Sequence, residues 1–135
     1  MNQKISTIIH LVVPLFILHM IEEVTTHFYE TDSSTQSASQ YLHLTPEATY
    51  FLIQIALFAF LSILLFSILK LKKINIILVL ILDVILLYEI THVFEAVKSR
   101  TYSSGVITGT ILFVIGLLLI YTLLNTRNTE VANKQ

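Results

Sequence analysis

The sequence predicts an all-α fold, a four-helix transmembrane bundle. Three observations predict it: an apolar composition, four long apolar stretches, and ionisable residues set at helical spacing inside two of those stretches. Of 135 residues 55% are hydrophobic and 13% charged, where a soluble domain carries roughly 25% charged residues. Mean hydropathy is +0.79. A helix satisfies its own backbone polar groups and needs about 20 apolar residues to cross a hydrocarbon core about 30 Å thick. Together the four stretches take up most of the chain, which reads as one membrane domain over 1–135. Eight Lys plus Arg against nine Asp plus Glu leave a net charge of -1, so there is no basic surface to neutralise phosphates and no nucleic-acid partner. There is no Cys, which excludes disulfides, thiolate metal sites and a Cys nucleophile.

The first span runs from about Ile5 and extends through Glu23. Lys4 ahead of an apolar run resembles a secretory leader, but the run ends in His19, Glu22 and Glu23 with no small-residue cleavage pattern, so it reads as a span. Pro14 removes a backbone hydrogen bond to the His10 carbonyl and marks a point for a kink. Residues 24–46 form a polar connection, in which the Ser-rich tract at 33–40 reads as a solvated, mobile loop. Thr45 as a cap, Pro46 in the first helical position and Glu47 at the positive end of the helix dipole start the second span, 47–69.

The basic turn at 70–73 makes the second and third spans an antiparallel hairpin, the third covering 74–97. The fourth covers 105–124 and carries Gly105, Gly109 and Gly116, matched by Ala56, Ala59 and Ser62 on the second; small residues let helices approach closely in lipid, and packing within the bundle is the favoured use. Lys4, Lys70, Lys72, Lys73, Arg127 and Lys134 fall on the side of the termini, and Lys98 and Arg100 on the other. That asymmetry predicts a multi-pass protein of the cell membrane with both termini cytoplasmic.

The ionisable residues inside the spans lie at one depth. At 1.5 Å per residue, His19 and Glu89 stand about 21 and 22 Å from the terminal side, Glu22 about 25 Å and His92 about 27 Å. Helical spacing places His19 with Glu22 and Glu23 on either flank, and Glu89 with His92. Charged groups inside a bilayer usually face the bundle interior and a partner. Two imidazoles and three carboxylates, His19, Glu22, Glu23, Glu89 and His92, suit a divalent metal such as Zn, Fe or Mn, with Glu22 or Glu23 as general base. Soluble bundle proteins build such centres from Glu and His three apart, although they draw carboxylates from all four helices. Gln54 and Thr108 fall near the same depth and can supply supporting hydrogen bonds. The zinc-peptidase patterns fit less well, because position 23 is Glu rather than a second His, a place that His92 can fill from across the bundle.

Asp83 lies near the midplane, half a turn away from His92, and is expected to hydrogen-bond within the bundle or to mark a proton path. His10 reads as a packed or interfacial residue, and His27 and His43 as solvated ones.

HisMetIleGluGlu at 19–23, ending a first span, and His92 followed by ArgThrTyrSerSerGlyValIleThr at 100–108 resemble the small membrane proteins named for their HxxEE motif. His19, Glu22 and Glu23 match the named motif. His92, Tyr102, Gly105 and Thr108 match a second element, in which Ser104 stands where Pro is expected. The resemblance implies a family without an established reaction, for which a metal-dependent enzyme is the natural expectation.

The expected activity is therefore metal-dependent hydrolysis or related chemistry on a lipid-like substrate, with lipid suggested by the site's depth. Glu95 is expected at its rim, and Tyr102 and Thr108 at its mouth. Two alternatives stand beside it. One is a small proton-linked transporter or channel component with Asp83, Glu89 and His92 as a relay. The other is a non-catalytic accessory subunit using the glycine face of the fourth span.

Overall fold

A computed structural model describes residues 3–70 and 75–132. All regular structure among them is helical: α1 (Gln3–Thr25), α2 (Phe28–Thr31), α3 (Ser33–Leu42), α4 (Pro46–Lys70), α5 (Ile76–Tyr88), α6 (Ile90–Ser99) and α7 (Val106–Ala132). Four segments are long and apolar enough to cross a membrane: α1, α4, α5 with α6, and α7 as far as Thr126. Large apolar side chains face outward, with Ile55, Ile63, Phe66 and Val84 each more than 60% exposed, at 67%, 68%, 64% and 67%. A surface of that kind is suited to lipid and not to water. The chain is an all-helical membrane protein. Its basic turn at 71–73, Ile74 and Lys134 lie outside the described residues.

Local chemistry sets the helix ends. Thr45 Oγ1 accepts from the Ala48 N–H at 3.2 Å, and Pro46 begins α4. Asn75 caps α5 through the Ile77 N–H at 3.1 Å. α1 continues as one helix through Pro14.

The tract at 33–40 is not a solvated loop. It forms α3, because Asp32 accepts from the Thr35 N–H at 2.7 Å and supplies the helix start. The serines return their hydroxyls to the helix, Ser37 to the Ser33 carbonyl at 2.8 Å, while Thr35 and Ser39 are buried and α3 packs on α4. The third span also departs from a continuous helix. It breaks for one residue at Glu89, where the His92 N–H reaches back three residues to the Glu89 carbonyl at 3.3 Å.

α7 packs against α1 on one side and against α5 and α6 on the other, and α4 packs on α5. Each contributes a buried stripe at three- and four-residue spacing. On α1 it is Ile5, Ile9, Val12, Phe16, His19 and Glu23; on the third span Val79, Leu82, Asp83, Leu86, Glu89 and His92. On α7 it is Gly109, Leu112, Gly116, Leu119 and Leu123, continued by Gly105 just before the helix. The stripes are aliphatic toward the termini, apart from Asp83. Toward the loops they turn polar on α1 and α6 and glycine-only beside α7, so the seam that is aliphatic below becomes a polar cluster above.

Candidate metal centre

His19 and Glu23 continue the inward stripe of α1, and Glu89 and His92 that of the third span. All four are buried, at 5%, 4%, 7% and 8% exposure. Glu89 Oε2 lies 3.0 Å from His19 Nε2 and 3.5 Å from His92 Nε2. Glu23 Oε1 lies 3.6 Å from His19 Nε2 and 3.7 Å from His92 Nε2. One donor atom from each of His19, Glu89 and His92 falls within 4.8 Å of the others. Ligands bound at about 2.0 to 2.1 Å around a tetrahedral ion stand about 3.3 to 3.4 Å apart, so these separations fit a small divalent cation. Two imidazoles and one carboxylate are a donor set used by catalytic zinc sites, which keep a fourth position open.

Glu23 and His19 are aimed by further contacts. Glu23 Oε2 accepts from the Tyr50 hydroxyl at 2.7 Å and from Gln54 Nε2 at 3.3 Å, which turns Oε1 toward the imidazoles. Gln54 thus supplies the supporting hydrogen bond expected of it. Tyr50 was not legible as a site residue, since a Tyr at a span boundary reads as an interfacial anchor; its i, i+4 spacing to Gln54 was the available signal. His19 Nδ1 lies 2.8 Å from Thr108 Oγ1. The Thr108 hydroxyl donates its one proton to Glu22 Oε2. Its oxygen therefore has a lone pair for a proton on His19 Nδ1, the tautomer in which Nε2 can serve as a ligand atom. Such outer partners fix a ligand's tautomer and orientation.

Glu22 thus has a different place from Glu23. Its oxygens accept from the Ile107 N–H at 3.1 Å, the Thr108 N–H at 2.8 Å, the Thr108 hydroxyl and the Tyr102 hydroxyl. Those N–H groups belong to the first turn of α7 and have no partner within the helix, and a carboxylate suits the positive end of its dipole. Glu22 ties α1 to α7 and reaches the cluster through Thr108; neither it nor Glu23, both expected as ligands, is among the three residues grouped within 4.8 Å of one another, and Glu23 Oε1 stands beside them.

Glycines on α7 make the room. Gly105 has φ +78°, in the left-handed region, and a Cβ there would stand 2.7 Å from His19 Cε1 and 3.1 Å from His92 Nδ1. At Gly109 it would stand 3.3 Å from the Glu89 carbonyl oxygen. The expected packing use of these glycines thus holds at the centre itself. His92 Nδ1 is buried with no hydrogen-bond partner among the described residues, and the His92 ring packs on Phe28 with centroids 5.5 Å apart and on His19 at 5.0 Å.

The remaining residues fall away from the cluster. Glu95 and Tyr102 are exposed. Asp83 is 2% exposed and its Oδ1 has no hydrogen-bond partner among the described residues, so the bond expected within the bundle is not made there by that atom. The exposed His10 turns Nδ1 to the Ser6 carbonyl at 2.6 Å. His27 and His43 are exposed, both at positive φ, beside α2 and at the end of α3.

A family model described as "Protein of unknown function with HXXEE motif" matches residues 10–120. That stretch holds His19, Glu22, Glu23, Tyr50, Glu89, His92 and Thr108. No curated protein and no solved structure matches the chain.

Proposed function

We propose, for a chain that belongs to the HXXEE-motif family of proteins of unknown function, that His19, Glu89 and His92 hold a divalent cation of the Zn, Fe or Mn type. At that centre the protein carries out hydrolysis or related chemistry on a lipid-like substrate. The observation that carries the reading is the convergence of two Nε2 atoms on Glu89 Oε2, at 3.0 and 3.5 Å, inside a membrane bundle. When bound, the cation supplies Lewis-acid polarisation and a lowered pKa for a coordinated water.

The protein's own residues do the rest. Thr108 holds His19 in the tautomer that presents Nε2. Glu23, fixed through Oε2 by Tyr50, keeps Oε1 beside the shared space, where it accepts the proton of an attacking water. Burial among Phe16, Phe28 and the glycine face of α7 excludes bulk water.

Lipid is favoured by a groove of about 490 Å³ between α1 and α4, lined by Ile17, Met20, Phe51, Ile55 and Phe58. Its one polar lining residue, Gln54, is bonded to Glu23. The distribution of Lys and Arg favours a cell-membrane protein with cytoplasmic termini, which puts the centre in the outer leaflet.

Elemental analysis of the purified wild type beside His19→Ala and His92→Ala tests the centre. Metal bound by the wild type and lost from both variants supports it; a metal-replete wild type with no bound ion overturns it. Incubation with phospholipid vesicles and mass spectrometry of the products tests the chemistry. Glu23→Gln is expected to keep the ion and lower product release by about 10²- to 10⁴-fold, the scale of a lost general base. A metal-loaded wild type that releases no lipid product ends the hydrolytic reading.

A further inference from the structure

A second cavity, of about 470 Å³, opens at the loop end of the bundle beside the buried centre. It is bounded by the end of α6, the loop leading into α7, and the segment from Thr26 to Ser33. Eight of its lining residues carry hydroxyls, and two, Asp32 and Glu95, are carboxylates. Among the described residues, no Lys, Arg or His lines it. Asp32 uses Oδ2 to cap α3, and Glu95 Oε2 has only a loose contact with Ser103 Oγ at 3.4 Å, so both remain acceptors. The aromatic residues of the wall are Phe28 and Tyr102. Both lead to the centre: the Phe28 ring packs on His92, and the Tyr102 hydroxyl donates to Glu22.

We propose that this cavity binds the ammonium headgroup of an amine-bearing membrane lipid, whose glycerol and ester region then lies against the His19–Glu89–His92 centre. The lining charge selects the ligand. Two carboxylates attract an ammonium and disfavour an anionic headgroup that brings no ammonium with it. Hydroxyls accept the N–H groups, and aromatic faces add cation–π attraction. The cavity sits where the spans end, at the level of a bilayer's headgroups. The link to chemistry rests on the metal-centre reading above; binding itself needs no ion.

The test is a titration of the detergent-solubilised full-length chain with phosphatidylethanolamine carrying a fluorescent acyl chain. Equally labelled phosphatidylglycerol and a digalactosyl lipid serve as comparisons, each with and without EDTA. The expected result is about five-fold tighter binding of phosphatidylethanolamine than of either comparison, the scale of one or two partly exposed charge contacts. The preference persists in EDTA. It falls toward unity in Asp32→Asn with Glu95→Gln, where Asn keeps the α3 cap and circular dichroism checks that the fold is intact. Equal binding of the three lipids, tighter binding of the digalactosyl lipid, or a preference unchanged in the double variant overturns the assignment. A preference lost in EDTA assigns headgroup selection to the metal centre and overturns the cavity while leaving that centre standing. A wild type without metal that still prefers phosphatidylethanolamine upholds the cavity and overturns the metal reading alone.

Discussion

Thr108 Oγ1 stands 2.8 Å from His19 Nδ1 and donates a hydrogen bond to Glu22, so a residue on the last span joins a first-span imidazole to a first-span carboxylate. The two motif positions His19 and Glu22, three apart in sequence, are joined by a side chain 86 residues beyond the second of them.

Removing that hydroxyl is expected to weaken metal binding without emptying the site. Thr108→Val should lower affinity about 10- to 100-fold, the usual cost of losing a ligand's outer partner, and Thr108→Ser should restore most of it. Competition against a fluorescent chelator measures both; a Val variant that binds like the wild type removes the relay.

A methyl group on Gly105 meets two obstacles. The left-handed backbone at φ +78° costs a non-glycine residue about 1–2 kcal/mol, and the Cβ would fall 2.7 Å from His19 Cε1. Gly105→Ala is therefore expected to lower the thermal midpoint and abolish stoichiometric metal, whereas Gly109→Ala, facing the Glu89 carbonyl at 3.3 Å, should do less of each. Equal metal content in Gly105→Ala and wild type speaks against the crowding argument.

Asp83 is buried with an unpartnered oxygen. A buried polar atom left unsatisfied costs about 1–3 kcal/mol, so Asp83→Leu is expected to leave the thermal midpoint unchanged or raise it, with metal content unaltered. Destabilisation by more than about 2 kcal/mol, the scale of a core side chain lost, would show that Asp83 has a partner that matters.

Tyr102 lies outside the spans and gives a pH signature. Burial, and then its hydrogen bond to the Glu22 carboxylate, push its hydroxyl up to about 12, against about 10 in an unfolded chain. A raised pKa means that the contact's stabilisation is fully present below about pH 10 and is lost as pH rises through about 12. Wild type and Tyr102→Phe should therefore differ in thermal midpoint at pH 8 and converge toward pH 12. A difference that grows with pH contradicts that sign.

Much of this arrangement is legible in the sequence, because hydrophobic length fixes spans and 1.5 Å per residue fixes depth. His19, Glu23, Glu89 and His92 share a level for that reason, and the structure brings them together. Spacing cannot choose between the two flanks of α1. Glu22 and Glu23 lie on either side of His19, and only the packing of α7 decides that Glu22 faces its first turn while Glu23 faces Tyr50. α3 escaped for a similar reason. Its serines and threonine are poor helix formers, and a cap from Asp32 together with packing on α4 overrides that weak propensity.

The aliphatic half of the seam has a bearing on traffic. Ile5, Val12, Leu82, Leu86, Leu112 and Leu119 are each 0% exposed beneath the polar residues, so the seam is closed on the side of the termini. Vectorial passage in that direction would require these aliphatic contacts to part.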